Sequence, residues 1–414
     1  MNSKKITSLR AFETLDSRGN PTITVHLALE GGASGTASVP SGASTGEYEA
    51  AERRDGDPAR YRGLGTRGVC ADIETQILPE IRGVDASLQR ALDRRLMELD
   101  GTQNKSYFGA NAILAVSLAA ARAAANAYEM PLYRYLGGIY GSVSMPVPMM
   151  NILNGGRHAD NNIDIQEFMI VPVGAKTISE AVRTGSEIYH ALCQTLRDKG
   201  YATAVGDEGG FAPDLPDDEA AIECILEAIQ KAGYTTDAVK LALDVAASEW
   251  AQGDRYSLPG RGLLLTADEL ISKFSHWCEI YPILSIEDPV GENDAAGWKA
   301  VTEALGNTIM LVGDDLFVTN TARLRKGIQE KLANAGLIKP NQIGTLSETL
   351  DAIRLAHANG YITVISHRSG ETGDTFISDI AVATGAGFLK AGAPARGERV
   401  AKYNRLIQIE RLFD

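Results

Sequence analysis

Short apolar runs, each followed at once by charged or polar residues, recur through the last two thirds of this 414-residue chain. The runs occupy residues 241–243, 283–286, 309–312, 337–338, 362–365 and 388–389. Their spacing is roughly that of one βα unit, and about 260 residues are enough for eight such units. We therefore predict an α/β fold with a TIM-like (β/α)8 barrel. Alternation alone leaves a doubly wound open sheet as the competing architecture.

The residues before this region read differently. Residues 23–29 alternate as a strand does, and residues 71–99 and 110–128 carry helical periodicity. Glycine, proline and low charge between residues 130 and 148 indicate a boundary. We predict an N-terminal α+β cap domain over residues 1–135 and a catalytic barrel over residues 136–414.

Bulk composition excludes several function classes. The net charge of −13 and the pI of about 5.1 argue against nucleic acid or an anionic membrane as partner. The apolar stretch 110–125 is interrupted by Asn111 and Arg122, so we interpret it as a buried Ala-rich helix. Four scattered cysteines without a CxxC pair, and a start without an apolar targeting segment, indicate a cytoplasmic protein.

Three carboxylates follow three successive apolar runs: Asp244, Glu287 and Asp314. In a barrel the strand ends converge on one rim, so these side chains would face one another. An all-oxygen ligand set suits Mg²⁺ better than Zn²⁺, which prefers His and Cys. Any one of these acids alone could be a helix cap or a solvated charge. Three in register predict a metal site.

Lysines follow two later runs, Lys339 and Lys390, and His367 with Arg368 follows the run between them. Bound cations and a neighbouring ammonium would lower the pKa of such a lysine and fit it for proton abstraction. A structural ion pair is the alternative for each lysine. Glycine-rich loops at 41–46, 155–158 and 206–210 permit close backbone approach, but singly they are weak signals.

Five motifs together resemble those of the enolase family, and the resemblance extends from residue 15 to residue 404. They are Ser-Gly-Ala-Ser-Thr-Gly at 41–46, Gly-Asp-Glu-Gly-Gly-Phe-Ala-Pro at 206–213, Ser-Ile-Glu-Asp-Pro at 285–289, Leu-Ile-Lys-Pro-Asn-Gln-Ile-Gly-Thr at 337–345 and Ser-His-Arg-Ser-Gly-Glu-Thr at 366–372. The resemblance implies a barrel of enolase type and the glycolytic dehydration of 2-phosphoglycerate to phosphoenolpyruvate with two Mg²⁺ ions. It also implies a homodimer or a homo-octamer.

The resemblance further implies a role for each matched residue. Asp244, Glu287 and Asp314 would hold the first metal, and Ser41, from a closing lid, would reach the second. Lys339 would be the base and Glu208 the acid, with Glu167 raising the pKa of Glu208. The remaining residues, which would contact the substrate, are His158, His367, Arg368, Ser369 and Lys390.

Two other functions compete with this expectation. An enolase-like paralogue acting on a phosphonate analogue would use the same chemistry, so the motifs do not separate it. A non-catalytic scaffold on the same fold is disfavoured, because every expected metal carboxylate and both lysines are present.

Overall fold

The computed structural model of the protein describes residues 3–42, 46–138 and 143–413. Its N-terminal part contains an antiparallel sheet with the strand order β1-β2-β3. The strands are β1 (Ile6–Leu15), β2 (Pro21–Leu29) and β3 (Ser34–Ser38). Ile23, Val25 and Leu27 of β2 are fully buried, as expected for a strand with one face on a core. The predicted strand at 23–29 is confirmed.

Helices pack on this sheet and on one another. They are α1 (Arg67–Asp72), α2 (Leu78–Ile81), α3 (Gln89–Asp100), α4 (Ala110–Ala127) and α5 (Leu132–Gly137), with a π-helical turn, Ile73–Ile77, joining α1 to α2 and a 3₁₀ turn at Tyr61–Gly63. Helix α4 lies so close to β3 that a Cβ on Gly35 would be 2.3 Å from the carbonyl oxygen of Ala119. A glycine facing an Ala-rich helix permits that approach. By length and composition α4 could cross a membrane, but 83% of it is buried within the protein, which confirms the predicted core helix.

Eight later strands close into a barrel, which confirms the predicted fold class over the open sheet. The later strands are β4 (Val147–Asn154), β5 (Glu167–Val171), β6 (Lys240–Asp244), β7 (Ala251–Gln252), β8 (Arg255–Leu258), β9 (Leu263–Leu265), β10 (Ile283–Glu287), β11 (Met310–Gly313), β12 (Ala335–Ile338), β13 (Ile362–Ser366) and β14 (Phe388–Lys390). Strands β7 to β9 form a separate small antiparallel sheet, and the others form the barrel. Side chains such as Met149, Met169, Val312 and Leu337 form a compact cluster of their own at its centre.

Strand β5 departs from a uniform βα repeat. It runs antiparallel to both β4 and β6, whereas the other barrel neighbours are parallel. Short apolar runs do not reveal strand direction, so the sequence pattern could not show this reversal. Its consequence is that the first residue of β5, Glu167, lies beside the last residues of its neighbours, Asn154 and Asp244.

The outer layer consists of helices between the strands. These are α6 (Ile178–Asp198), α7 (Asp218–Lys231), α8 (Ala267–Ile280), α9 (Ala295–Leu305), α10 (Thr321–Glu330), α11 (Pro340–Ile343), α12 (Leu346–Ala358), α13 (Phe376–Thr384) and α14 (Gly397–Glu410), with 3₁₀ turns at Gly156–His158 and Ala247–Trp250. Thr266 begins α8 with a capping box, in which its side chain and that of Glu269 satisfy each other's backbone N–H groups. Helix α14, the last of them, supplies Arg399 to the candidate site described below.

Candidate active site

The carboxyl ends of the parallel strands meet at one rim of the barrel. Asp244 and Glu287 end β6 and β10 and are register neighbours. The predicted residues that line one cleft at this rim are His158, Glu167, Glu208, Asp244, Asp314, Lys339, His367, Arg368, Ser369 and Lys390. Glu287 also contacts Lys390 there. The structure therefore brings together every predicted site residue except Ser41.

Backbone strain accompanies the strand ends that carry the three carboxylates. Ala246 and Asp288 have φ values of 50° and 43°, and Val318 and Thr319, shortly after Asp314, have φ values of 42° and 57°. Left-handed backbone is unfavourable for residues other than glycine, and most of all for β-branched ones. Such strain is characteristic of functional sites, where the surrounding fold holds it in place.

Lys390 lies at the centre of one group of carboxylates. Its Nζ is 2.9 Å from Oδ2 of Asp244, 2.9 Å from Oε2 of Glu287 and 3.1 Å from Oε2 of Glu167. Burial lowers the pKa of Lys390, but the three carboxylates outweigh burial and raise it well above its usual range. Lys390 is therefore a fixed positive charge in this structure.

Lys339 pairs with the third carboxylate, Asp314, through a close ion pair. The other oxygen of Asp314 accepts a 2.8 Å hydrogen bond from Nε2 of Gln342, whose Oε1 accepts one from Thr319. Burial is the largest influence on the pKa of Lys339 and lowers it, but Asp314 and Glu287 raise it, and the net shift is upward. This direction is opposite to the lowered pKa that we expected with cations bound.

Glu167, which also contacts Lys390, lies with Glu208 and two histidines in a second group. Nδ1 of His158 lies 3.4 Å from Oε1 of Glu167 and 3.7 Å from Oε1 of Glu208. Asn151 donates to Oε2 of Glu208 at 3.0 Å, and Nε2 of His367 lies 3.2 Å from that oxygen. Glycines let the supporting loops pack closely, since a Cβ on Gly206 would be 2.5 Å from the carbonyl oxygen of His158.

The two carboxyl groups have opposite pKa shifts. Burial and the charge of Glu208 raise the pKa of Glu167 well above its usual range. Burial also raises the pKa of Glu208, but His367 and His158 lower it by more, so it falls well below its usual range. The expected raised pKa of Glu208 is therefore not found here. A proton shared by this pair resides on Glu167.

The tautomer of His367 follows from Arg399, which can only donate hydrogen bonds. Nη1 of Arg399 lies 2.6 Å from Nδ1 of His367, so Nδ1 accepts and Nε2 carries the proton that faces Glu208. Burial lowers the pKa of His367 to about 4, so the ring is neutral near pH 7. A neutral histidine whose Nε2 proton faces Glu208 favours the ionised carboxylate.

Arg368 lies in the cleft and pairs with Glu49, which sequence reasoning did not assign. Ser369 is also buried in the cleft, and its carbonyl oxygen accepts a 2.6 Å hydrogen bond from Nη2 of Arg399. Ser41 is absent from the lining of the cleft. Its hydroxyl donates to Asp16 at 2.7 Å, and its backbone pairs with Gly370 in both directions. The structure thus does not bring Ser41 to the carboxylates, and Ser44 of the same motif lies outside the described residues.

Comparisons with known proteins match nearly the whole chain. Residues 142–413 match the family described as "Enolase, C-terminal TIM barrel domain", and residues 6–136 match "Enolase, N-terminal domain". A relative named "Enolase" from Natranaerobius thermophilus is 58% identical over 405 residues, which are 98% of this chain and 94% of the relative. Another "Enolase", from Acidothermus cellulolyticus, is 57% identical over 410 residues, 99% of this chain and 95% of the relative.

The chain belongs to the enolase family. This enolase is accordingly a hydro-lyase, a phosphopyruvate hydratase. Membership of the family implies a divalent metal ion and a small-molecule substrate. The scaffold alternative loses its support, because the site retains each predicted acid and base.

The predicted carboxylates of this enolase fit a hard divalent cation. Burial and the neighbouring Asp244 raise the pKa of Glu287 well above its usual range, because Lys390 does not fully offset the surrounding negative charge. A divalent ion bound by carboxylate oxygens would supply the missing positive charge.

The ligand atoms of Asp244, Glu287 and Asp314 do not all lie within 4.8 Å of one another. In the described residues, ligand atoms within 4.8 Å of one another form two other groups: His158, Glu167 and Glu208, and Asp288, Asp314 and Asp315. Both oxygens of Asp288 already accept hydrogen bonds, from the backbone N–H groups of Asp314 at 3.0 Å and Asp315 at 2.9 Å. Asp244 and Glu287 face Lys390, and Asp314 faces Lys339. For a metal ion to bind here, carboxylate oxygens that now contact Lys390 and Lys339 would have to be released from those lysines.

Sequence reasoning missed several residues of this enolase site. Gln342 stands in the motif after Lys339 but was given no role, and Asn151 lies on β4 without a motif. Arg399 lies on α14, 32 positions after His367, and no local pattern connects the two. Of these, only Gln342 had a signal, because it lies in a motif that also carries the proposed base.

Proposed function

We propose that this enolase catalyses the reversible dehydration of 2-phospho-D-glycerate to phosphoenolpyruvate in glycolysis and gluconeogenesis. The observation that carries the proposal is the composition of one buried cleft, in which a lysine, a carboxyl pair with histidines, and an arginine lie together. These groups are a candidate base, a candidate acid and a candidate phosphate contact. The likeness to named enolases over nearly the whole chain supports the same reaction.

Lys339 is the proposed base that removes the proton α to the substrate carboxylate. That proton is weakly acidic, because its removal adds negative charge to a group that is already ionised. Lys390 is proposed to meet the substrate carboxylate and to offset that charge from a fixed position. Two Mg²⁺ ions, when bound, would supply further electrostatic stabilisation of the developing negative charge. Lys339 must be neutral to act, so its pKa has to fall relative to the value set by Asp314.

Glu208 is the proposed acid that protonates the departing hydroxyl, and Glu167 assists it. Hydroxide is a poor leaving group, so a proton must be given to it. In this structure the pKa of Glu208 lies well below its usual range and that of Glu167 well above it. We infer that the proton held by Glu167 must pass to Glu208 before water leaves. Nδ1 of His158 lies 3.4 Å from Glu167 and 3.7 Å from Glu208, and His158 is proposed to contribute to that transfer.

The remaining site residues are proposed to bind the substrate and the metals. Arg368 and Ser369 would contact the phosphate, and His367 would position Glu208. Asp244, Glu287 and Asp314 would hold the first Mg²⁺. The second is proposed to be reached by Ser41, whose hydroxyl must first leave Asp16.

We also propose that the enzyme acts in the cytoplasm as a homodimer or homo-octamer. The two-domain division at residues 135 and 136 belongs to the same proposal, as does the absence of nucleic acid and membranes among its partners. The net charge of −13 supports the last point, since it opposes broad attraction to anionic polymers and surfaces.

The direct test is an absorbance assay for phosphoenolpyruvate with purified protein, Mg²⁺ and 2-phosphoglycerate. We expect turnover that chelation of Mg²⁺ abolishes and that added Mg²⁺ restores. A phosphonate analogue offered in competition should act as a poorer substrate. Folded protein that leaves 2-phosphoglycerate unchanged would contradict the proposal, and preferential turnover of the analogue would favour the paralogue instead.

A further inference from the structure

A buried ion pair occupies the guanidinium that is proposed to bind the substrate phosphate. Oε2 of Glu49 lies 2.8 Å from Nη1 of Arg368, and Oε1 lies 3.2 Å from Nη2. The two side chains are only 6% and 4% exposed. Carboxylate and phosphate groups both present paired oxygens to the fork of an arginine. Glu49 therefore holds the same donors that an anionic ligand would use.

Other contacts anchor the segment that carries Glu49. The backbone N–H of Ala50 donates to the carbonyl oxygen of Gln342 at 2.8 Å, and the hydroxyl of Tyr48 donates to Asn293 at 3.0 Å. The guanidinium of Arg323 lies 3.7 Å from the centre of the Tyr48 ring. Oε1 of Glu49 also accepts the backbone N–H of Gly46 at 3.2 Å and the side-chain amide of Gln342 at 3.4 Å. A glutamine at position 49 keeps an Oε1 acceptor for these two contacts, so they do not depend on the charge of Glu49.

We infer that Glu49 is a specificity-determining residue, whose carboxylate competes with the ligand for Arg368 and so sets a threshold of affinity that a doubly charged phosphate group exceeds and singly charged anions do not. The inference rests on the proposed role of Arg368. A phosphate monoester carries close to two negative charges at neutral pH and has three acceptor oxygens. A ligand with a single carboxylate would form with Arg368 an ion pair no stronger than the one that Glu49 already forms. Replacing Glu49 by such a ligand would therefore gain little binding free energy.

The surroundings make displacement of Glu49 selective. Asp314 and Asp315 line the same cleft, so a carboxylate that leaves Arg368 meets like charges there. That repulsion weakens when divalent cations are bound, because they reverse the local field. Displacement is therefore favoured by a strongly charged ligand in the metal-loaded enzyme.

The test compares Glu49→Gln with Glu47→Gln in the full-length enzyme with Mg²⁺. Glu47 is a matched control, because it carries the same charge two residues away but is exposed and accepts from Asn293 at 3.3 Å. Isothermal titration with inorganic phosphate and with acetate measures the two anion classes. The KM for 2-phosphoglycerate provides a second readout.

For Glu49→Gln we expect phosphate to bind about tenfold more tightly, the effect of removing one charge-assisted partner from Arg368. Acetate, which should bind the unaltered enzyme too weakly to measure, should become detectable. Both affinities should rise by a similar factor, because both anions lose the same competitor for Arg368. Glu47→Gln should leave both affinities within about twofold, since an exposed charge in salt acts weakly.

Glu49→Asp keeps the charge on a shorter side chain and serves as a second variant if Glu49→Gln unfolds. It should give a smaller gain in phosphate affinity, because aspartate spans the two Nη atoms less well. Equal anion affinities in Glu49→Gln and Glu47→Gln would overturn the inference and leave the ion pair structural. Arg368→Lys separates this failure from a failure of the proposed site: lost phosphate binding there supports the role of Arg368, whereas unchanged binding contradicts both.

Discussion

The cleft contains two groups of buried carboxylates that differ in their partners. Asp244, Glu287 and Asp314 face the ammonium groups of Lys390 and Lys339. Glu208, in the other group, accepts from Asn151 and faces a neutral histidine. A lysine ammonium is a compact point charge, so a metal ion can take its place beside a carboxylate. Oriented hydrogen bonds instead fix which carboxyl group carries a proton. The carboxylates Asp244, Glu287 and Asp314, here called the metal half of the site, are thus suited to charge stabilisation. Glu167 and Glu208, the proton-transfer half, are suited to proton transfer.

The largest expected effects are those of removing the proposed base and the proposed acid in turn. Lys339→Ala should abolish exchange of the α proton of 2-phosphoglycerate and reduce turnover by about 10²–10⁴-fold, the usual range for a general base. Glu208→Gln should retain exchange while it blocks loss of water, because only the later step needs the acid. Deuterium exchange followed by NMR measures the first step, and absorbance measures the second.

Lys299→Ala, at an exposed position on α9, is the control for loss of a lysine and should keep both activities. If Glu208→Gln lost exchange as completely as Lys339→Ala did, the division of roles between the two halves would be wrong. Glu167→Gln sharpens the comparison further. It should resemble Glu208→Gln if the proton reaches the leaving group through Glu167.

The next effect concerns pH and the stability of the proton-transfer half. The pKa of His367 is about 4 in the folded protein, below the value of about 6.5 for an exposed histidine. As the pH falls, the unfolded chain takes up this proton first, so the folded state loses stability between about pH 6.5 and pH 4. The loss attributable to His367 is about 3 kcal/mol at pH 4. Urea unfolding at several pH values measures it.

His367→Gln should remove that part of the pH dependence, because its amide can still accept from Arg399 and donate to Glu208 without titrating. The control is His276→Gln on α8, where the histidine is exposed and the slope should be unchanged. Equal pH slopes for His367→Gln and the unaltered enzyme would show that His367 is not held neutral by burial.

The two halves also differ in how far the sequence could predict them. Asp244 and Glu287 were found because strand ends converge on a rim, a rule that needs only the order of apolar runs. The reversal of β5, which sets Glu167 beside Asp244, leaves no trace in that order. Arg399 reaches His367 from a helix distant in sequence, and the pKa of Glu208 depends on that contact through the tautomer it fixes. The position of Glu167 and the pKa of Glu208 therefore depend on contacts between residues distant in sequence, which local sequence patterns do not show.

The smallest expected effect tests how the metal half is held in place. Gln342 donates to Asp314 at 2.8 Å and accepts from Thr319, whose hydroxyl oxygen also accepts the backbone N–H of Lys339 at 2.9 Å. Gln342→Met keeps the length of the side chain and removes these bonds. One lost hydrogen bond to a carboxylate is worth about 1.5 kcal/mol or more, so Mg²⁺ should bind about tenfold more weakly. Isothermal titration with Mg²⁺ measures this change.

Gln89→Met provides the matched control for that experiment. Gln89 donates to Asp93 at 3.0 Å in the N-terminal part, so its loss removes a similar glutamine–aspartate bond away from the cleft. Both variants should lower the unfolding temperature, but only Gln342→Met should weaken Mg²⁺ binding. Equal Mg²⁺ affinities would show that Gln342 stabilises the fold without orienting Asp314. The lysines, and not Gln342, would then orient the carboxylates of the metal half, whereas Glu208 is oriented by hydrogen bonds.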